Sequence, residues 1–226
     1  MTRPHVQSRR LTAADYSVDA VTAAKALIGA FLCRRLDDGT VLRRRITETE
    51  AYCGEEDTAC HAHKGRTPRT DVMYSPGGCA YIYLCYGMHE ILNIVTGAEG
   101  RPEAVLIRGI EGVTGPGRLT KLLQIDRTLN REDLKVSKRL WLESDGAPFK
   151  FTAAPRIGIA YASKRDQSRK WRFTLRSNEQ TLEVFANPAP PIAPSGRPQR
   201  PFSPPHQAAS GGTRRRAAAS RAAHRE

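Results

Sequence analysis

The chain is 226 residues long and strongly basic, with 36 Lys and Arg against 23 Asp and Glu, a formal net charge of +13 and a pI near 10.0. Hydrophobic residues make up 39% of it, enough for one substantial core, which excludes global disorder. No apolar run approaches the roughly 18 residues of a membrane-spanning helix, and the basic first ten residues lack the apolar stretch of a secretory leader. The expectation is a soluble intracellular monomer, cytoplasmic or nucleoid-associated, whose excess charge suits a polyanion, with nucleic acid first in line.

Asp19 is a suitable N-cap for a helix over residues 19–31, where Val21, Ala24, Ile28 and Phe31 recur at helical spacing. A strand over 31–36 then meets Asp37-Asp38-Gly39-Thr40, a hairpin signal. The returning strand, 41–52, alternates: Arg43 and Arg45 point one way, Leu42 and Ile46 the other. Its far end reads Glu48-Thr49-Glu50-Ala51-Tyr52, which puts Glu48, Glu50 and Tyr52 on one face. Glu55-Glu56-Asp57 suits the opening of a short helical turn leading to His61. After a polar loop with Gly65, Pro68, Pro76, Gly77 and Gly78, residues 79–86 place Tyr81 and Tyr83 on one strand face, and Gly87 permits a sharp turn after Tyr86. Strands are expected at 90–96 and 104–110. A helix is expected from Gly115-Pro116-Gly117 through Leu119, Leu122, Leu123 and Ile125, and late strands at 156–160 and 171–175. Strands outnumber helices and the connections are hairpin-like, which predicts an α+β fold: a single domain on a curved antiparallel sheet with flanking helices.

The termini differ in character. Residues 1–10 read as a flexible lead-in and 11–186 as the folded domain. Residues 187–226 hold seven arginines and one glutamate, eight of the 15 prolines, and Phe202 as their only aromatic. Such a segment cannot bury enough apolar surface to offset chain ordering, so it is read as a disordered basic tail. The five cysteines are odd in number, lack C-x-x-C spacing and are expected to be reduced. Cys60-His61-Ala62-His63 hints at zinc, but no second ligand pair follows, so no metal and no cofactor is expected.

Chemistry is concentrated in one region. Glu48 and Glu50, two residues apart on one face, suit an acid/base pair; pairing of Glu50 with Arg43, Arg44 or Arg45 at a sheet edge is the competing reading. Tyr52, Tyr81, Tyr83 and Tyr86 lie within 35 residues that also contain His61 and His63. An aromatic slot beside a carboxylate on a basic protein is what an enzyme acting on a flipped nucleobase needs, although strand tyrosines also serve as core filler.

These residues carry a resemblance. Glu48-Thr49-Glu50-Ala51-Tyr52 with His61 nine residues on, and Gly65-x-Thr67-x-Arg69, resemble the alkyladenine (3-methyladenine) DNA glycosylase family. So do Tyr81-x-Tyr83-x-x-Tyr86-Gly87-Met88 with Asn93, then Leu106-Ile107-Arg108, Gly115-Pro116-Gly117-Arg118-Leu119, Arg156-Ile157-Gly158-Ile159 and Trp171-Arg172-Phe173. The likeness spans about residues 11–185 in order, and the family fold is itself similar to the tRNA-contacting C-terminal domain of a formyltransferase.

The resemblance implies a role for each position. Glu50 becomes the general base for water attack, with Arg108 near that water and the target phosphate. Tyr52 and Tyr83 become the aromatic walls, His61 completes the pocket, and the main chain of Ala59 and His61 hydrogen-bonds the base edge. Tyr86 becomes the intercalating wedge, and Asn93 disfavours the amino group of guanine. The Ile157 backbone helps hold the water. Arg69, Arg118 and Lys121 are candidate contacts to the DNA backbone, the last two beside a helix N-terminus. The implied activity is hydrolytic excision of alkylated purines, chiefly 3-methyladenine, from double-stranded DNA containing alkylated or deaminated purines. No lysine except Lys64 lies near the constellation, so no strand-cleaving step is expected. The alternative is a non-catalytic nucleic-acid-binding module on the same fold. Two departures stand out: Thr70 replaces an asparagine common in the family, and the pattern diverges at Arg176-Ser177-Asn178-Glu179.

Overall fold

The computed structural model describes residues 8–176. The elements in chain order are β1 (Arg9–Arg10), α1 (Ala13–Tyr16), α2 (Ala20–Ala26), β2 (Phe31–Arg35), β3 (Val41–Cys53), β4 (Ala80–Cys85), β5 (His89–Thr96), β6 (Glu103–Ile110), β7 (Val113–Thr114), α3 (Pro116–Leu122), β8 (Leu140–Ser144), β9 (Phe151–Ala154), α4 (Lys164–Ser168) and β10 (Arg172–Leu175). Short 3-10 turns at Gly54–Glu56, His61–Lys64 and Asp71–Tyr74 fill the β3–β4 connection.

The strands form an open antiparallel sheet ordered β1-β8-β2-β3-β6-β5-β4, with β10 joining β3 to β9 and β7 on β6. The fold is α+β, as the pattern predicts. Strand β3 is the axis of the sheet: residues 41–45 pair with β2, 48–50 with β10, and 46–53 with β6. The β3–β6 register slips on either side of Glu48, and Gly109 sits opposite the slip. A Cβ at Gly109 would stand 3.0 Å from Thr47 Oγ1 and 3.1 Å from Glu48 Cβ, so the missing side chain lets the strands close at this irregularity.

Alternation gives the sheet two different faces. Ala51, Ile82, Leu92, Ile94, Val105 and Ile107 turn to one side and bury against Ala20, Ala24 and Leu119 of α2 and α3. Thr49 Oγ1 donates to the Ala24 carbonyl at 2.9 Å, tying β3 to α2. Asp19 accepts from the amides of Val21 and Thr22, a cap contributing about 0.5–2 kcal/mol. The opposite face carries Glu48, Glu50, Tyr52, Tyr81, Tyr83 and Asn93. Under it, Ala62, Val72, Met73 and Tyr74 of the β3–β4 connection form a second apolar cluster with Tyr81 and Val95. No helix among the described residues is long and apolar enough to cross a membrane.

Several elements differ from the sequence reading. The helix expected over 19–31 ends at Ala26, because Gly29 adopts φ +86° and its amide donates to the Ile46 carbonyl, so Phe31 opens β2 instead. Helix α3 stops before Ile125, where Gln124 takes φ +50°. The strand expected at 156–160 is irregular: the Arg156 side chain is consumed by a buried ion pair and Gly158 adopts φ +78°. Strands β8 and β9 and helix α4 lack a clear periodic signal. The lead-in expected to be flexible includes Arg9 and Arg10, which pair with Ser144 and Glu143. The tail at 187–226 and the divergent stretch from Ser177 onward lie outside the described residues.

Glycine 77 enters β4 with no room for a side chain: a Cβ would lie 2.5 Å from the Tyr16 carbonyl oxygen and 2.9 Å from its carbon. Backbone atoms cannot move aside as a side chain does, so Gly77→Ala is expected to lower stability by about 1–3 kcal/mol, read as a reduced urea midpoint at unchanged m-value.

Candidate active site

The face of the sheet opposite α2 and α3 supports an aromatic cleft. Tyr52, Ala59, Cys60, His61, Met73, Tyr81, Tyr83, Asn93, Ala104 and Tyr161 line it. Period-2 geometry supplies half of these side chains. Tyr81 and Tyr83 stand two residues apart on β4 with ring centroids 5.4 Å apart, and Asn93 is the register partner of Tyr81 on β5. His61, at the start of its 3-10 turn, packs edge-on to Tyr83 at 4.6 Å and places Nδ1 2.9 Å from the Tyr81 hydroxyl. Asn93 Nδ2 donates to the Tyr81 carbonyl at 3.2 Å, so this buried amide is fixed in orientation. Five sequence-predicted residues thus meet in one cleft: Tyr52, Ala59, His61, Tyr83 and Asn93.

Glu50 lies beside the cleft, fully buried, and joins it through Tyr52. The Tyr52 hydroxyl donates to Glu50 Oε2 at 2.9 Å, and the Ile157 amide donates to Oε1 at 2.9 Å. Arg108 Nε lies 3.5 Å from the same Oε1. The reading of Glu50 as an edge carboxylate on Arg43, Arg44 or Arg45 is overturned, because β3 is an interior strand and Arg43 and Arg45 pair with Glu143 and Asp145. Burial pushes the Glu50 carboxyl upward; Arg108, the Ile157 amide and the Tyr52 hydroxyl pull it back, and Glu48 adds to the rise. The Ile157 amide thus bonds the carboxylate itself, not only a site beside it.

The loop after β9 secures both groups through Arg156, which is buried with Asp57. The guanidinium and carboxylate make two parallel bonds of 2.5 and 2.8 Å, and Nη1 also donates to the Ala51 carbonyl at 2.9 Å. Arg156 stacks 4.8 Å from the Tyr52 ring centre and 5.1 Å from that of Trp171. Asp57 in turn accepts from the amides of Cys53 and Ala59 at 3.1 Å each. Sequence reasoning missed Asp57, Arg156 and Tyr161 as site residues. All three stand in irregular segments with no periodic signal. Tyr161, 69% exposed at the cleft, donates its hydroxyl to the Ala59 carbonyl at 2.8 Å.

The remaining candidates lie outside the cleft lining. Tyr86 projects from the β4–β5 turn at 89% exposure, held at φ +50° while Gly87 takes φ +69° and the Met88 amide closes on the Cys85 carbonyl at 3.1 Å. Arg118 and Lys121 are exposed on α3, which Gly117 seats against His89 at the root of that hairpin. Arg69 is exposed and stacks 5.0 Å from the Tyr83 ring centre, on the cleft wall itself. Thr70 is buried and stitches its loop, accepting from the Thr67 amide at 2.9 Å and donating to the Gly65 carbonyl at 3.2 Å. His63 Nδ1 sits 2.7 Å from the Glu55 carbonyl, on another element from the partner of His61, and among the described residues no three potential metal ligands converge.

Two expectations follow. Removing one partner of the buried pair leaves the other charge stranded, so Asp57→Asn should cost about 3–5 kcal/mol in urea unfolding, and the Asp57→Leu/Arg156→Met double variant less than the sum of its singles. Burial, helped by Arg69, brings the His61 imidazole from 6.5 to about 4. Between those values the unfolded chain binds a proton that the folded chain does not, so the His61 contribution is intact above about 6.5 and lost as pH falls toward about 4. Urea midpoints from pH 7 to 4.5 should therefore fall more steeply for the natural protein than for His61→Gln.

Comparison with known proteins identifies the family. The Methylpurine-DNA glycosylase (MPG) family matches residues 14–114 and 111–179. A Psychrobacter cryohalolentis protein named "Putative 3-methyladenine DNA glycosylase" is 48% identical over 168 residues, covering 62% of this chain and 79% of the relative. Proteins of the same name from Borrelia garinii subsp. bavariensis and Methanocella arvoryzae are 42% identical over 174 residues (71% and 93% covered) and 43% identical over 178 residues (70% and 88% covered). An acidic group buried beside a tyrosine-walled cleft, on a chain matched along nearly all of its described length, makes this protein a member of the Methylpurine-DNA glycosylase family, a DNA repair glycosylase whose substrate is DNA.

Proposed function

We propose that the chain is a monofunctional glycosylase that flips an alkylated purine, chiefly 3-methyladenine, out of duplex DNA and hydrolyses its glycosidic bond, leaving an abasic site. The observation that carries this reading is Glu50: a fully buried carboxylate with two directed hydrogen bonds, coupled through Tyr52 to an aromatic cleft.

The chemistry runs from these contacts. An ionised Glu50 accepts the proton of water as that water attacks the anomeric carbon. Its negative charge also opposes the positive charge that builds on the sugar as the base leaves, so the interaction strengthens in the transition state. The Ile157 amide and Arg108 keep the carboxylate charged in a site whose burial favours the neutral acid. Tyr52 and Tyr83 wall the cleft on which the extruded base stacks, and an alkylated purine, already cationic, gains about 0.5–2 kcal/mol from their faces. His61, neutral near pH 7, adds no competing positive charge. The His61 amide and the second lone pair of the Ala59 carbonyl, beside the one Tyr161 uses, read the edge of the base, and the fixed Asn93 amide discriminates against the guanine amino group.

Outside the cleft, Tyr86 fills the gap left by the extruded nucleotide, the strain of its positive φ being held by the turn. Arg69, Arg118 and Lys121, with the arginines of 187–226, supply salt-dependent attraction to phosphates, and the protein acts as a monomer. Among the described residues no lysine lines the cleft, so direct hydrolysis is favoured over an amine adduct and strand cleavage.

Glu50→Gln keeps the shape and removes the base. Single-turnover base release from methylated duplex DNA should fall by about 10²–10⁴-fold while lesion-DNA affinity holds, and borohydride should trap no covalent adduct with the natural protein. Near-normal release by Glu50→Gln would sink this reading.

A further inference from the structure

The mechanism uses Glu50, Arg108 and the Ile157 amide but leaves two buried or half-buried charges unexplained, Glu48 and Arg172. Glu48 projects from the same face of β3 as Glu50. Arg108 Nε lies 3.4 Å from Glu48 Oε1 and 3.5 Å from Glu50 Oε1, and it is buried without a hydrogen bond among the described residues. An arginine next to one carboxylate ordinarily closes on it in a fork. Arg108 is instead held between two carboxylates and closes on neither.

Arg172 accounts for this arrangement. From β10 its Nη1 donates to Glu48 Oε1 at 2.9 Å, and its Nε donates to the Pro155 carbonyl at 2.9 Å. Pro155 lies two residues before Ile157, whose amide holds Glu50. One guanidinium therefore reaches both supports of Glu50, Arg108 by way of Glu48 and the Ile157 amide by way of the Pro155 loop. The four side chains are charge-balanced: Glu48 and Glu50 against Arg108 and Arg172. We infer that the Glu48–Arg172 pair is a positioning unit that holds Arg108 and the Ile157 amide against Glu50 while keeping Arg108 from capping the carboxylate oxygen needed by water.

The consequence is directional. Beside Arg108 on β6, Glu50 faces Tyr52 on its own strand and Tyr161 from the loop after β9. Tyr52 and Tyr161 keep their places when Glu48 or Arg172 is replaced, and Arg108 is the group that responds. Without the Glu48 charge, Arg108 is released toward Glu50 and a like charge disappears; both effects favour ionised Glu50. Without Arg172, Glu48 is left to draw Arg108 away and the Ile157 loop loses an anchor; both effects favour protonated Glu50. A pair acting only through its charges would move the acid limb but leave the plateau rate alone, whereas a pair that positions Arg108 and the Ile157 amide lowers the plateau as well.

The inference rests on Glu50 acting as the ionised base, and the test separates the two. Single-turnover base release from methylated duplex DNA is measured against pH for the natural protein, Glu48→Gln, Arg172→Met and Glu50→Gln, with melting temperatures and lesion-DNA affinity alongside. The acid limb should move down by roughly one unit in Glu48→Gln and up by roughly one unit in Arg172→Met. Plateau rates should fall about tenfold in both, with affinity held. An unmoved limb or an unchanged plateau in either folded variant, or a rate loss that only follows a lower melting temperature, overturns the inference. If one variant fails to fold, the limb and plateau of the other decide. An active Glu50→Gln would instead remove the proposed mechanism beneath it.

Discussion

Arg156 and Asp57 are buried together at no exposure, and the site is assembled around them. Taking two ions out of water costs several kcal/mol each, which only close pairing and further hydrogen bonds offset. Both are present. The fork is bidentate, the Ala51 carbonyl takes a third bond, the rings of Tyr52 and Trp171 flank the guanidinium, and Asp57 receives two amides of its own turn. The pair thereby locks three segments that share no secondary structure: the end of β3, the turn carrying Ala59, and the loop carrying Ile157. Glu50 receives its backbone donor, and Tyr52 its outer support, from the same side chain and its immediate neighbour.

The two-faced sheet makes room for this. One face buries aliphatic residues under α2 and α3, leaving the other to a layer of short 3-10 turns and tyrosines. Because the aliphatic face carries the larger apolar cluster, the opposite face can hold buried charge and a neutral histidine. Each of these is costly alone. The irregularity at Glu48, made possible by Gly109, lies where β3 passes from one duty to the other.

Much of this was legible beforehand. The alignment of Glu48, Glu50 and Tyr52 along β3, that of Tyr81 and Tyr83 along β4, the turn at Tyr86 and the cap at Asp19 all follow from spacing within a few residues. The helix over 19–31 and the strand at 156–160 were not, because Gly29 serves a strand bond to Ile46 and Arg156 serves an ion pair, both long-range demands that override local pattern. Tyr161 was invisible for the same reason: nothing near it in sequence says that it turns to Ala59.

By itself the sequence determined the α+β class, the two-residue alternation that lines up the carboxylates and tyrosines, and the family to which the chain belongs. Only the tertiary structure decided that Glu50 is interior to the sheet, that Ile157 reaches it across 107 residues of chain, and that Arg156 meets Asp57 across 99. Side-chain period is set by local backbone geometry and can be read from neighbours. The partner of a buried charge is whichever opposite charge the packed core brings within reach, and that depends on the whole fold at once.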